Sequence, residues 1–337
     1  MLSWFADCLS DRKQQVIIQG SSSPCFPCTS GVPQGSVLGP LLFSIYVRAV
    51  ASVVRHLKVD TIQFADDIML YLSLGDKAEL TNHMSTAITT LADWLTERNL
   101  HLNAQKTQVL FIPANRNLDR DMNVLSSGIS LQQVSSARYL GVILDEDLSW
   151  CPMVEHIARS VSQKIAVLFR NRKTLPIECR IMYLRSIILP DFLYASNCFS
   201  VGIASNHRAR LEVLLKRAVR CVFFAPFFSP SAPYFARLNL LTIEQMYCHK
   251  LLCLVWRCVK YDCNAQLSAL FSRMAAASNT RQSLCCTLKV PLRKTATGTR
   301  CASFACVYLW NSLPSVTRNV LNLKQFKKSL PETVKFR

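Results

Sequence analysis

The stretch that decides the fold is Thr61-Ile-Gln-Phe-Ala-Asp-Asp-Ile-Met-Leu-Tyr-Leu72, in which two short apolar runs flank an acidic turn. The runs 61–64 and 68–72 are rich in β-branched and aromatic residues, a composition typical of strands. The three residues between them, Ala65-Asp66-Asp67, fit a tight turn. The segment therefore predicts a β-hairpin with two adjacent carboxylates at its tip.

Adjacent carboxylates on a stiff turn offer the oxygen ligands that hard divalent cations such as Mg²⁺ prefer. Asp66 and Asp67 are thus candidate metal ligands. The alternative is that both side chains are ordinary solvated turn residues, which is the commoner role of an Asp-Asp pair. The apolar strands on either side favour the metal site because they stiffen the turn.

Working outward from the hairpin, apolar residues recur at helical spacing on both sides. One helix is predicted over residues 38–53, beginning at the Gly35-Ser36 turn with Pro40 in its first turn, and a second over 80–95. A further strand pair is predicted from Gln108–Ile112 and Arg138–Leu144. These elements make residues 1–150 a mixed α and β region.

From Pro152 onward the periodicity is helical. Apolar stripes predict helices over 154–168 and 211–222, and Thr242-Ile-Glu-Gln245 is a capping box that opens another. Basic residues stay outside the second stripe: Arg208, Arg210, Lys216, Arg217 and Arg220. We therefore expect two domains, 1–150 and 151–337, the second of them all-helical.

The balance of basic and acidic residues also changes near residue 150. The chain has 337 residues, half of them apolar, and a formal net charge of +18. Residues 1–150 carry 11 basic and 14 acidic side chains, whereas residues 151–337 carry 28 and 7. Such asymmetry favours a scaffold or catalytic part followed by a part that binds a polyanion. The alternative is a generally basic protein whose helices have solvated charged faces.

The 15 cysteines are scattered, and Cys25-Phe-Pro-Cys28 has no second pair at metal-ligand spacing. This usage predicts reduced thiols in an intracellular protein, nuclear or cytoplasmic, without a zinc site. No signal peptide is visible, and no apolar run reaches the length of a membrane span, so no membrane association is expected.

Upstream of the hairpin stands Ser30-Gly-Val-Pro-Gln-Gly-Ser-Val-Leu-Gly-Pro-Leu-Leu-Phe43, a glycine- and proline-rich turn leading into an apolar helix. Its free backbone amides near a helix start suit close approach to a nucleotide or a template base pair. An ordinary helix entry is the alternative for a turn of this composition.

Four segments in this order resemble the palm motifs of non-long-terminal-repeat (LINE-type, jockey-like) retrotransposon reverse transcriptases: Gly31–Phe43, Phe64–Asp67, Leu102-Asn-Ala-Gln-Lys-Thr107 and Tyr139-Leu-Gly-Val142. The resemblance extends to Leu9–Gln15 and to the tail segments Leu309–Pro314 and Phe326–Lys328. It implies an α+β fold, namely a partial right-hand polymerase palm (an antiparallel sheet with packed helices) followed by an all-helical thumb and C-terminal region.

The resemblance also implies roles for single residues. Asp66 and Asp67 would bind Mg²⁺, with Mn²⁺ as an alternative, and Lys106 would protonate the pyrophosphate leaving group; a plain surface lysine is the competing interpretation of Lys106. The remaining implied contacts are Pro33, Gln34 and Gly35 with the incoming nucleotide and templating base, Tyr139, Leu140 and Gly141 with the primer backbone, and Arg208, Arg210, Lys216, Arg217 and Arg220 with phosphates. The partners implied are an RNA template, a DNA primer and deoxynucleoside triphosphates.

One departure qualifies the implied activity. The family places another aspartate on a strand before the Gly-Val-Pro-Gln-Gly turn, whereas Asp7 and Asp11 are the only acids before Gly31 and neither matches that strand. We therefore expect an N-terminally truncated polymerase fragment that is inactive by itself. The alternative is a non-catalytic nucleic-acid-binding relic of a retrotransposon. An RNA-directed RNA polymerase is disfavoured, because those enzymes usually carry Gly-Asp-Asp in the hairpin.

Overall fold

A computed structural model describes residues 2–115, 117–261, 264–271, 286–292, 298 and 301–330. The chain divides into two compact units, one of residues 1–109 and 119–133 and the other of residues 110–118 and 134–337. The fold is of the α+β type. The functional division at residue 150 inferred from periodicity and charge stays a prediction.

The first unit alternates short helices and strands. Its helices are α1 (Leu2–Leu9), α2 (Gly39–Tyr46), α3 (Val50–Arg55) and α4 (Lys77–Thr96). Its strands are β1 (Lys13–Gln14), β2 (Ile17–Ile18), β3 (Ser21–Ser22), β4 (Phe26–Pro27), β5 (Asp60–Phe64), β6 (Asp67–Tyr71), β7 (Gln108–Val109), β8 (Leu125–Ser126), β9 (Ile129–Ser130) and β10 (Gln132–Gln133).

The second unit opens with one hairpin and is otherwise helical. The hairpin is β11 (Ser136–Tyr139) and β12 (Val142–Asp145). The helices are α5 (Cys151–Asn171), α6 (Ile177–Tyr183), a π-helical turn (Leu184–Ile188), α7 (Leu189–Leu193), α8 (Ser196–Phe199), α9 (Ser205–Val222), α10 (Ala232–Leu238), α11 (Ile243–Tyr261), α12 (Ala265–Ala269), α13 (Ala302–Asn311), α14 (Ser315–Arg318) and α15 (Leu323–Ser329).

The hairpin predicted from 61–72 is confirmed: β5 and β6 pair antiparallel with Phe64 opposite Asp67. Helix α4 covers the predicted 80–95, and Asp76 caps it by accepting a hydrogen bond from the Glu79 amide at 2.7 Å. Residues of α4 then pack against α3 in the larger of two core clusters of the first unit, which consists of Val47, Val50, Val54, Val59, Ala87, Leu91 and Leu95; the smaller consists of Ile88, Val124 and Leu131.

Two predictions about the first 150 residues are wrong in detail. The helix expected over 38–53 is interrupted at residues 47–49. The β-branched side chains of Val47 and Val50, on either side of the break, are both buried in the core. The strand pair expected between 108–112 and 138–144 does not form. Instead β7 pairs parallel with β10, and residues 138–144 fold back on themselves as the β11–β12 hairpin.

Sheets in the described ranges each have only two strands. The antiparallel palm sheet implied by the resemblance is therefore represented here by separate hairpins and one short parallel pair. A two-stranded sheet is marginal by itself and needs packing against other elements. For β5–β6 that support comes from α3 and α4, because Ile68 and Leu70 pack against the core between these helices.

The helical periodicity after Pro152 is confirmed. Helix α5 buries Val154, Ile157, Val161, Ile165 and Leu168 along one face, and it packs against α9. The predicted capping box opens α11: the Thr242 amide donates to Gln245 Oε1 at 2.8 Å, and the Gln245 amide donates to Thr242 Oγ1 at 3.3 Å. No helix in the described ranges is both long and apolar enough to cross a membrane.

Asp145 fastens the β11–β12 hairpin to α5. Its buried carboxylate accepts hydrogen bonds from the Ser149 and Trp150 amides at 2.9 and 2.8 Å, directly before the helix begins. Trp150 in turn packs on the core of the second unit. The carboxylate thereby satisfies two amides that would otherwise lack partners at a helix N-terminus.

We predict that Asp145→Ala lowers the free energy of unfolding by about 1–3 kcal/mol, because it leaves two amides without an acceptor. Asp145→Asn should cost less, since its carbonyl oxygen retains one bond. Urea denaturation measures both, with Glu178→Ala at an exposed position of α6 as the control. Equal effects of Asp145→Ala and Glu178→Ala would contradict the assigned role.

Candidate functional site

The tip of the β5–β6 hairpin carries both candidate metal ligands. Because Phe64 pairs with Asp67, the loop between the strands consists of Ala65 and Asp66 alone. Ala65 takes a positive φ of 53°, which a two-residue hairpin loop commonly requires. Asp66 and Asp67 are both exposed. The tip thus presents two carboxylates to solvent on a turn of fixed geometry.

Successive side chains of a strand point to opposite faces of the hairpin, and this determines which residues surround Asp67. Cross-strand partners share a face of an antiparallel pair, so Asp67 lies on the same face as Phe64, Ile62 and Met69. That face is open: Phe64 is 61% exposed and Ile62 47%. The opposite face carries Ile68 and Leu70 into the core. The hairpin therefore holds Asp67 on an open, largely apolar surface.

The carboxylate pair offers oxygen donors from one turn of the chain. Adjacent carboxylates are suitable oxygen donors for Mg²⁺, which usually takes one or two from the protein and further oxygens from water or substrate phosphates. In the described part of the chain, however, no group of three or more His, Cys, Asp or Glu residues is arranged to hold a metal ion. Asp66 and Asp67 fit one side of such a site.

The Gly-Val-Pro-Gln-Gly segment forms a tight turn. The Ser36 amide donates to the Pro33 carbonyl at 3.2 Å, which places Gln34 and Gly35 at the corners. Gly35 has a φ of 82°, the value that favours glycine at the third position of such a turn. Pro33, Gln34 and Gly35 are all exposed. The turn is therefore accessible to a ligand.

Arg12, which the sequence did not single out, braces this turn from upstream. Its Nη2 donates to the Ser30 and Gly31 carbonyls at 3.2 and 2.6 Å. No local pattern connects residues 12 and 31. A contact across this separation follows only from the fold.

Lys106 lies in the same unit as the turn and the hairpin. Its amide donates to the carbonyl and to Oδ1 of Asn103, each at 3.1 Å, so that Asn103 fixes the backbone while the lysine side chain remains exposed. The asparagine of the Leu-Asn-Ala-Gln-Lys-Thr motif thus has a structural role in orienting the loop.

The Tyr139–Gly141 segment belongs to the second unit. Tyr139 pairs with Val142, so Leu140 and Gly141 form a two-residue loop with φ values of 46° and 80°. Tyr194, whose role the sequence did not indicate, donates its hydroxyl to the Leu140 carbonyl at 2.7 Å. Its ring lies so close that a Cβ on Gly141 would stand 3.0 Å from Tyr194 Cε1.

The basic residues of α9 divide into two groups. Arg210 and Arg217 are exposed. Arg208 forms an ion pair with Glu244 of α11 at 3.4 Å, and Lys216 lies 4.0 Å from Glu212. Arg220 donates to the Ser229 carbonyl at 3.4 Å. An ion pair offsets the charge of Arg208 and Lys216, whereas the bond of Arg220 to a neutral carbonyl leaves its charge in place. Arg210 and Arg217, which are exposed, have the most freedom to meet an anion.

Comparison with known proteins gives a consistent picture. Residues 1–144 match the family described as reverse transcriptase (RNA-dependent DNA polymerase). A probable RNA-directed DNA polymerase from transposon BS of Drosophila melanogaster is 30% identical over 245 residues, covering 70% of this chain and 27% of that protein.

Two further relatives carry related descriptions. The RNA-directed DNA polymerase from mobile element jockey of Drosophila melanogaster is 27% identical over 65% of this chain and 25% of its own length. A Pol polyprotein from type-1 retrotransposable element R1 of Nasonia vitripennis is 24% identical over 58% and 59%. The chain spans about a quarter of the length of the transposon BS and jockey proteins.

We predict that Gly141→Ala lowers the free energy of unfolding by about 1–3 kcal/mol, because a Cβ at positive φ is strained and also meets the Tyr194 ring. In a Tyr194→Ala background the steric part disappears, so the same substitution should cost less. A double-mutant cycle by urea denaturation measures the difference. Equal costs in both backgrounds would show that Tyr194 does not restrain the loop.

Proposed function

Because residues 1–144 belong to the reverse transcriptase family, we propose that this chain supplies part of a polymerase that copies RNA into DNA. The observation that carries the proposal is the carboxylate pair Asp66-Asp67 at the tip of a core-anchored hairpin, exposed on its open face. The accessible turn at Gln34 supports it from the same unit.

Each residue has a proposed task in this reaction. Asp66 and Asp67 would hold Mg²⁺, or Mn²⁺ in its place; such ions, when bound, stabilise the attacking and leaving oxygens of nucleotidyl transfer. Pro33, Gln34 and Gly35 would line the incoming nucleotide and templating base, and Lys106 would donate a proton to the pyrophosphate. Tyr139, Leu140 and Gly141 would hold the primer backbone.

The incomplete metal site limits what residues 1–337 do by themselves. Two carboxylates on one turn repel each other and leave one side of the cations without a protein ligand. We propose that the facing carboxylate comes from outside the described residues. The same observation favours a second candidate, a non-catalytic nucleic-acid-binding relic that keeps the basic helices without the reaction.

Primer extension distinguishes the two candidates. We expect negligible extension by the 337-residue chain on an RNA template with a DNA primer. Extension should appear when the upstream segment of the transposon BS relative, with the facing aspartate that the family resemblance implies, is fused ahead of residue 1. In that fusion Asp66→Ala should abolish the activity, whereas Lys106→Ala should slow it by about 10²–10⁴-fold, the usual range for general-acid help.

The contradicting results are distinct. Extension by residues 1–337 at the rate of the fusion would show that the proposed site is misplaced. A well-folded fusion without activity, together with retained duplex binding, would favour the non-catalytic relic. Asp66→Asn is the matched control, since it keeps the size of the side chain and removes its charge.

Duplex binding tests the proposed role of α9. We expect Arg210→Gln with Arg217→Gln to weaken binding of an RNA–DNA duplex and to lower the dependence of log affinity on log salt, by roughly 0.9 for each phosphate that is no longer neutralised. Arg48→Gln with Arg55→Gln removes the same charge from exposed positions in the other unit and is the control. An equal reduction in affinity for both pairs would mean that only net charge matters.

A further inference from the structure

A patch of arginine and aromatic side chains lies where α9 ends and the loop 223–231 begins. We call it the ring–arginine patch and define it by six residues: Arg172, Arg180, Arg220, Phe224, Phe227 and Phe228. It shares only Arg220 with the residues given a role above. All six lie in the second unit.

The rings of this patch face solvent on a loop that is held in place. Phe227 is 63% exposed and Phe228 92%, and the two rings meet edge to face with centroids 5.0 Å apart. The loop is anchored at its start, where Phe223 stacks on Tyr234 of α10 with centroids 5.1 Å apart. Both anchoring rings pack against the core. The exposed rings therefore belong to an ordered surface.

The three arginines lie over two rings of the patch, Phe224 and Phe227. Arg180 stands 4.3 Å and Arg172 5.1 Å from the centroid of Phe224, and Arg220 stands 5.7 Å from that of Phe227. Such cation–π contacts fix both partners without neutralising the positive charge. Arg172 and Arg180 thus adjoin the Phe224 ring, and Arg220 adjoins the exposed Phe227 ring.

In the part of the chain that the structure describes, no acidic side chain pairs with the arginines of the patch. Arg180 is only 8% exposed, and its Nε and Nη1 have no hydrogen-bond partner. Burial raises the pKa of the neighbouring Cys221 thiol, while the charges of Arg172, Arg180 and Arg217 oppose that rise.

A buried guanidinium whose Nε and Nη1 lack hydrogen-bond acceptors is costly even with a ring against it, and its presence points to an anionic ligand. Exposed rings beside it point to a ligand that also has flat faces. Single-stranded nucleic acid combines the two, because its bases are free to stack on aromatic side chains while its phosphates meet arginine. The bases of a duplex are stacked on one another and are not available in this way.

We propose that the ring–arginine patch binds unpaired nucleotides, with bases stacked on Phe227 and Phe228 and phosphates held by Arg172, Arg180 and Arg220. The occupant is the single-stranded part of a template RNA. This identification of the occupant rests on the proposed function, whereas the stacking chemistry rests on the patch alone.

An anionic membrane surface is the competing occupant, since it also attracts arginine and accepts exposed phenylalanines. Insertion into a membrane, however, buries rings below the level of the charged groups. Here Arg220 stands 5.7 Å from the centroid of the exposed Phe227 ring, so inserting that ring would take Arg220 with it. The arrangement therefore favours the polynucleotide.

The test is fluorescence anisotropy of the full 337-residue chain with a labelled 12-nucleotide oligo(U) at fixed salt. Phe227→Ala with Phe228→Ala should weaken binding by about 10-fold or more, since stacking contributes that much per base. Phe228→Trp should preserve affinity, whereas Phe228→Leu should not, which separates ring stacking from apolar burial. Val213→Ala, at a similarly exposed apolar position on α9, is the control and should leave the affinity unchanged.

The same variants are titrated with an RNA–DNA duplex and with vesicles of anionic phospholipid. Loss of oligo(U) binding with duplex binding retained supports the patch. Unchanged oligo(U) binding in the double alanine variant overturns it while leaving the proposed function standing if the duplex still binds. Loss of vesicle binding without loss of oligo(U) binding also overturns it. Failure of the unsubstituted chain to bind either nucleic acid would overturn the proposed function itself.

Discussion

The alternation of side chains along β6 is the constraint on which the candidate site depends. Ile68 and Leu70 are partly buried and pack against the core of α3 and α4, and this fixes which face of the hairpin is the inner one. Asp67 is one residue from Ile68 and must therefore lie on the outer face. A slip of one residue would place a carboxylate in an apolar core, where an unpaired charge is costly. The packing of these two aliphatic side chains therefore sets the face of the hairpin on which Asp67 lies.

Much of this arrangement could be predicted because its signals are local. The hairpin, α4, α5 and the capping box at Thr242 follow from periodicity and turn chemistry within a few residues. The break at residues 47–49 could not be predicted, because it is set by a core that α4 completes some 40 residues later. The parallel pairing of β7 with β10 could not be predicted either, because strands of two residues are too short for the sequence to indicate their partner or register.

The candidate site divides in the same way. Asp66, Asp67 and the Pro33–Gly35 turn were evident from motif and turn residues. Tyr194 was not, because its hydroxyl reaches Leu140 across 54 residues of sequence. On α9, helical spacing separates basic residues from the apolar stripe. It does not reveal that Arg208 faces Glu244 on α11. The number of basic residues on α9 could be counted from the sequence, but only the structure shows that Arg210 and Arg217 are exposed.

The distribution of arginine in the second unit has a physical consequence for how that unit binds. A guanidinium held by a carboxylate, as in Arg208, contributes little net field, whereas one held only by ring faces keeps its full charge. Arg180 is held in this way, and Arg172 and Arg220, which lie on ring faces and also meet neutral groups, keep their charge too. They are oriented at little cost to their charge, so less side-chain entropy is lost when an anion arrives. The second unit thus combines an arginine that pairs with a carboxylate, Arg208, with arginines that ring faces orient while their charge is kept.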